Sequence, residues 1–171
     1  SLDSFTEVPL TPADHQQVLW YQYFDVPRPF ADRHWLITVE DNYDLASKTD
    51  GSAWEHPWDL TPDGPALATQ AVSAGRVPGI TKHMVNKAIY VTVNQGAWIA
   101  IKLPEDRTLL GFHATSVVGG RIPDRLVADY AMWSLGSALS RVAARANTVY
   151  EHYDSSHKRV HGGDGVPLPT P

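Results

Sequence analysis

Hydrophobic and polar positions set out the chain's elements before any chemistry is considered. Gln17 to Phe24 (QVLWYQYF) is crowded with aromatic and apolar residues and predicts a strand. Arg33 to Glu40 (RHWLITVE) alternates well enough for a second. Between them, Val26-Pro27-Arg28-Pro29 predicts an extended turn, because proline also biases its predecessor away from helix. Asp41 to Gly64 is polar and reads as a loop or short hairpin that packs Trp54 and Trp58 back on the body. Leu67 to Ala74 reads as a further strand. Lys87 to Val93 and Ala97 to Leu103 read as strands joined by an Asn94-Gln95-Gly96 turn, with glycine in the left-handed region. Thr108 to Val118 follows a polar turn at Pro104 to Arg107.

The period then changes. Pro123 to Val149 contains no internal proline and predicts one long helix with Pro123 in its first turn. Tyr130 to Ser140 carries no charge, so the middle of that helix is expected to be covered on most sides. Beyond Tyr153 the chain is polar and rich in Gly and Pro, which predicts a mobile tail over 154–171 after a single domain at 1–153. Strands followed by one long helix predict an α+β fold, an antiparallel sheet with a helix lying across it.

Composition narrows the function classes. The chain has 171 residues and a net charge of −5, which disfavours a nucleic-acid partner. It has no cysteine, which excludes disulfide frameworks, thiolate metal sites and cysteine nucleophiles. No apolar run reaches the ~20 residues of a membrane-spanning helix. The compartment is left open, with a lean towards the cytoplasm. Six Trp, seven Tyr and four Phe supply large apolar surface for a core or a cavity.

The usual catalytic signatures are missing: there is no P-loop, dinucleotide fingerprint, His-Glu-x-x-His or Gly-x-Ser-x-Gly. His152, His157 and His161 have spacing a metal could use but read as solvated tail residues, and Glu40, Asp41 and Asp44 read as a solvated acidic loop. No metal or cofactor is expected. Asp32 beside Arg33 reads as an ion pair or a turn-stabilising group.

Two separated segments resemble a known family. Val26-Pro27-Arg28-Pro29-Phe30-Ala31-Asp32-Arg33-His34-Trp35 resembles the P-x-P-x-x-x-R-D segment of START domains, lipid-transfer domains of the helix-grip (Bet v 1-like, SRPBCC) superfamily, with His34 where the family has Asp. Gly96-Ala97-Trp98 resembles the family's G-x-W strand. Val118-Gly119-Gly120-Arg121-Ile122-Pro123-Asp124-Arg125-Leu126-Val127 resembles its G-G-x-I-P-x-x-L-V approach to the last helix. The resemblance runs from about Val18 to Ala146 and covers the C-terminal two-thirds of the family fold.

That resemblance implies a curved antiparallel sheet gripping the C-terminal helix around a hydrophobic tunnel. It implies binding, and possibly transfer, of one lipid or other apolar molecule without chemistry, with transient membrane contact. On the family pattern Trp35, Ile37 and Val39 line the tunnel and His34 and Thr38 lie outside. Trp20, Trp98 and Phe112 join from other strands, and Tyr130, Trp133 and Ser134 from the helix, where Tyr130 and Ser134 would hydrogen-bond a polar head. Trp54 is placed outside the pocket. The loop at 41–65 and the Gly119-Gly120 pair are the candidate gate. Val39 stands where some sterol carriers have a buried Arg, and Trp20 offers no acid to pair with one, so the cavity is expected to be uniformly apolar. The family's N-terminal helix and early strands have no counterpart here: either the chain is a trimmed or cleaved fragment, or another polypeptide supplies those strands, and a partner segment or a dimer is expected at the bare sheet edge. Two alternatives stand beside this reading. One is an enzyme on the same scaffold, polyketide cyclase/aromatase-like, using His113 or Tyr90. The other is a ligand-free interaction module.

Overall fold

The computed structural model describes residues 5–11 and 17–148, the side chains at 124, 126, 129–131, 133 and 134 excepted. Its elements run β1 (Phe5–Pro9), β2 (Gln17–Phe24), β3 (Arg33–Glu40), α1 (Tyr43–Lys48), β4 (Ala53–Leu60), α2 (Gly64–Ser73), α3 (Lys82–Lys87), β5 (Ile89–Tyr90), β6 (Val93–Leu103), β7 (Arg107–Val117) and α4 (Asp124–Ala146). The fold class is α+β, with a curved, open antiparallel sheet and a long C-terminal helix. The chain forms two compact units, residues 1–120 and 121–171.

In the first unit the strands follow the order β1-β2-β3-β4-β6-β7, and the short β5 pairs with β3 in parallel. The strand expectations at 17–24 and 33–40 are met residue for residue. Three others are corrected. The segment 41–64 is not a loop: it holds α1 and the interior strand β4. Asn42 caps α1 by accepting from the Leu45 amide at 3.0 Å, and Asp44 and Lys48 pair one turn apart at 2.6 Å. Pro57 sits inside β4 because β3 pairs only with Trp58 to Leu60, so the missing amide faces no partner on that side.

The second correction concerns Leu67 to Ala74, which is helical up to its C-cap at Ala74. Pro65 stands in the first turn of α2, and the buried positions Gly64, Ala68, Ala71 and Val72 recur at helical spacing. The third is Asn94 to Gly96, which is not a turn. β6 runs straight through it, and Lys82 to Lys87 upstream is helical.

The described core lies on one face of the sheet. Tyr21, Tyr23 and Leu36 from β2 and β3 pack with Ala68, Ala71 and Val72 of α2 and with Val77, Ile80 and Val85. β7 ends the sheet, and among the described residues no strand pairs with its outer edge.

In the second unit, α4 begins directly after Pro123 and closes at Asn147. Within the uncharged run, expected to be covered on most sides, the described residues Met132 (72% exposed), Gly136, Ser137 and Ser140 are exposed and Leu135, Ala138 and Leu139 are half-buried. The tail expected at 154–171, with His157 and His161, lies outside the described residues, as does His152.

Candidate functional site

Residues opposite each other in neighbouring strands project to the same face. Trp20 lies opposite Ile37, Gln22 opposite Trp35, and Val18 opposite Val39. Ile37 lies opposite Leu60 and Val39 opposite Trp58. Trp54, His56 and Trp58 lie opposite Ala100, Trp98 and Gly96. Trp98 and Ala100 lie opposite Phe112 and Leu110. One continuous face therefore carries Trp20, Trp35, Ile37, Val39, Trp98 and Phe112, all six strand residues expected to line a ligand site. His34 and Thr38 project from the other face, as expected. The helix residues of that expectation, Tyr130, Trp133 and Ser134, have side chains outside the description.

Sequence reasoning missed two tryptophans of this face. Trp58 and Trp54 join it because 53–60 is a strand, and Trp54 is corrected from outside to inside the aromatic surface. The signal was present in the sequence: Trp54, His56, Trp58 and Leu60 alternate at period two. Pro57 concealed it. Five of the six tryptophans thus share one face of the sheet, the sixth being Trp133.

The rings make specific contacts. Trp98 and Phe112 have centroids 4.7 Å apart. Trp58 and Phe112 stack at 5.5 Å, with planes 30° apart. Phe5 lies 6.0 Å from Trp35. Three of the indoles have acceptors for their N–H. Trp58 donates to Asn94 Oδ1 at 3.0 Å, Trp54 to the Gly51 carbonyl at 3.1 Å, and Trp35 to Gln22 Oε1. What those three rings turn outward is therefore carbon rather than an unmet donor. Gly96 makes the Trp58 packing possible. A Cβ there would lie 2.5 Å from one atom of the Trp58 ring and would also strike the His113 carbonyl.

A shallow pocket of about 90 Å³ opens on this surface, lined by Asp41, Trp54, His56, Trp98, Ala100 and Leu110, with Glu55 and Ile99. Drug-sized clefts run to roughly 300–1,000 Å³, so this one admits about one ring. At its edge His56 Nδ1 meets Asp41 Oδ1 at 2.6 Å. The Tyr43 hydroxyl also donates to Asp41, at 3.4 Å. Burial, with the Asp41 charge second, pushes the Tyr43 phenol up from its ordinary value.

Two buried groups sit elsewhere. Arg33 is 1% exposed. Its Nε donates to the Val118 carbonyl at 2.6 Å and its Nη2 to the Gly119 carbonyl at 2.7 Å. Nη1 donates to the carbonyls of Ala31 and Asp32. Burial pulls the guanidinium down from its ordinary value, and the nearby Asp32 charge opposes that. Gly119 and Gly120, expected as part of a gate, are left-handed residues, and Arg33 grips the carbonyls at 118 and 119. Asp32 is a turn-stabilising group: its carboxylate accepts from the Tyr23 hydroxyl at 2.5 Å and the Val26 amide at 3.0 Å.

His34, 4% exposed, is driven by burial down to about 4. Its Nδ1 lies 3.3 Å from the Tyr21 hydroxyl, and its ring meets Tyr90 edge-on at 5.1 Å. Tyr90 accepts from the Leu36 amide at 3.1 Å, on the helix-covered side. His113 alternates with Phe112 and projects away from the aromatic face. Neither of the two groups expected to serve as acid or base therefore stands on that face. Among the described residues no group of three or more His, Asp or Glu gathers as metal ligands, and no helix is long and apolar enough to cross a membrane.

No family model matches the chain, and neither a curated protein nor a solved structure matches it.

Proposed function

We propose that this protein binds an apolar small molecule, a lipid or an aromatic compound, against the tryptophan-rich face of its sheet, and carries or senses it without chemistry. The observation that supports the reading is the gathering of five tryptophans and Phe112 on one face while the other face has its own helix-packed core. Large apolar surface on one side of a sheet marks a buried contact or a ligand wall. Tyr130, Trp133 and Ser134 belong to the same proposal, as does a START-like domain spanning 1–153; both rest on the residue resemblance at 26–35, 96–98 and 118–127. Native mass spectrometry of protein purified without detergent tests it. One apolar species recovered in stoichiometric amount supports carriage. A clean protein that takes up no offered lipid or alkylbenzene overturns it.

The partner expected to complete the sheet belongs at β7, and a second copy suits it. The strand has no proline or lysine to guard its edge, and Arg107 is its one charge. Leu109 and Val117, 53% and 50% exposed, sit symmetrically about His113. An antiparallel pairing centred on His113 sets each Leu109 against the other copy's Val117 and juxtaposes no like charges. Sedimentation equilibrium of wild type and Leu109→Lys tests this: a dimer lost in the variant supports it, and a wild-type monomer at high concentration overturns it.

A further inference from the structure

The Asp41–His56 pair stands at the rim of the aromatic pocket and the apolar-binding reading leaves it unused. His56 comes from β4, directly opposite Trp98. Asp41 comes from the turn that follows β3, and its backbone and carboxylate are both engaged. The Tyr43 amide donates to the Asp41 carbonyl at 2.9 Å, and the Tyr43 hydroxyl donates to Oδ2 at 3.4 Å. The adjoining Asn42 is fixed to β4 by two bonds: its amide donates to the Glu55 carbonyl at 2.9 Å and its side-chain nitrogen to Glu55 Oε2 at 2.8 Å. The carboxylate is therefore held in place beside the imidazole by the α1 turn and by β4 itself.

An ionised carboxylate only accepts hydrogen bonds. With Oδ1 2.6 Å from Nδ1, the ring must carry its proton on Nδ1, and in the neutral imidazole Nε2 is then an acceptor. The Trp54 indole offers no competing donor, because its N–H already serves the Gly51 carbonyl. With the ring neutral, the pocket thus presents one oriented acceptor at the edge of a small apolar hollow.

We infer that Asp41 and His56 form a recognition site for a hydroxyl group, so that the ligand of the aromatic face is an apolar molecule ending in a phenol or alcohol whose O–H donates to His56 Nε2. This rests on the apolar-binding reading above and adds the identity of the polar end. The ring of such a ligand fills the hollow between Trp54 and Trp98, and the rest of its apolar body extends along the face. His56 acts here as an acceptor positioned by Asp41, and no bond is made or broken.

Titration calorimetry with 4-butylphenol and 4-butyltoluene, which differ by a hydroxyl against a methyl, tests the inference. One hydrogen bond in a partly dry site corresponds to roughly a tenfold preference for the phenol. His56→Phe is expected to abolish the preference for the phenol over the toluene, whatever it does to the affinity for either alone, and Asp41→Asn to reduce that preference. Nitrogen-15 spectra of the histidine rings supply a second readout: neutral His56 should be the Nδ1–H tautomer. Equal affinity for both probes in the wild-type protein, a preference that survives His56→Phe, or an Nε2–H tautomer overturns the hydroxyl site while leaving apolar binding standing. If neither probe binds, the apolar-binding reading falls and the hydroxyl site falls with it.

Discussion

Trp98 and Phe112 face each other across β6 and β7 with ring centroids 4.7 Å apart and planes inclined at 59°. That inclination puts ring edge towards ring face, the arrangement aromatic quadrupoles favour. Trp58 stacks on the same Phe112, so one ring links two tryptophans from different strands. A double-mutant cycle with Trp98→Leu and Phe112→Leu is expected to return a coupling of about 0.5–1.5 kcal/mol in urea denaturation. Additive single effects would show that the rings merely share a face.

Ligand binding should follow face rather than strand. Trp35→Asp places a charge amid apolar surface and should abolish uptake of an apolar probe. Trp54→Ala should weaken it about tenfold or more, since Trp54 lines the pocket with Trp98. His113→Ala, on the opposite face of the strand that carries Phe112, should leave affinity unchanged. Calorimetry with 4-butyltoluene reads all three. A loss at His113 equal to that at Trp54 would mean that the aromatic face is not where the probe sits.

Much of this is open to reading in the sequence, and the failures have physical causes. Trp35, Ile37 and Val39 alternate within an unbroken strand, so their common face follows from period two alone. Trp54 and Trp58 obey the same period. Pro57 between them reads as a break because one sequence does not reveal that β3 stops pairing at Trp58. Leu67 to Ala74 reads as a strand because its buried helical positions are small, Ala68 and Ala71, and give a weak hydrophobic signal at helical spacing. Gly96 reads as a turn residue because glycine serves both left-handed conformations and close approach, and only the Trp58 ring lying on it decides between them. The Asp41–His56 pair joins residues fifteen apart through strand pairing, which no local pattern encodes.

Gly96→Ala should therefore be costly. The new methyl would meet the Trp58 ring and the His113 carbonyl, and backbone cannot step aside cheaply. A loss on the order of 2 kcal/mol or more is expected. It should come with an altered near-ultraviolet signal from Trp58. An unperturbed spectrum would show that the indole does not rest on that strand.

Arg33 joins the start of β3 to the chain after β7. Its fork spans two carbonyls eighty-five and more residues away. Lysine cannot reproduce donors in several fixed directions. Arg33→Met and Arg33→Lys should both destabilise by roughly 2–4 kcal/mol, because each leaves buried carbonyls unmet. Hydrogen exchange should quicken at 118–121 in both variants. Gly120→Ala should act similarly, since its Cβ would come 2.6 Å from Arg33 Nη2 at a left-handed position. Full stability in Arg33→Lys would mean that charge alone suffices.

Acid should unfold this protein partly through His34. In the unfolded chain the ring titrates near 6.5, whereas in the fold burial holds it down to about 4. Between those values the unfolded state binds the proton and the folded state does not, so stability falls as pH falls through that window. It is fully present above 6.5 and levels off below about 4. At roughly 1.4 kcal/mol per unit, the gap amounts to on the order of 3 kcal/mol. The Tyr21 phenol is raised by burial first and by Tyr90 second, so its hydroxyl stays protonated and shares a hydrogen bond with His34 Nδ1 at 3.3 Å. His34→Gln keeps a polar partner for that hydroxyl and cannot titrate. Urea denaturation at about pH 7 and about pH 4.5 should show the wild type losing most of that roughly 3 kcal/mol and the variant, weaker at neutral pH, losing much less. The same loss in both proteins would place the acid sensitivity in other groups and leave the buried ring without a part in it.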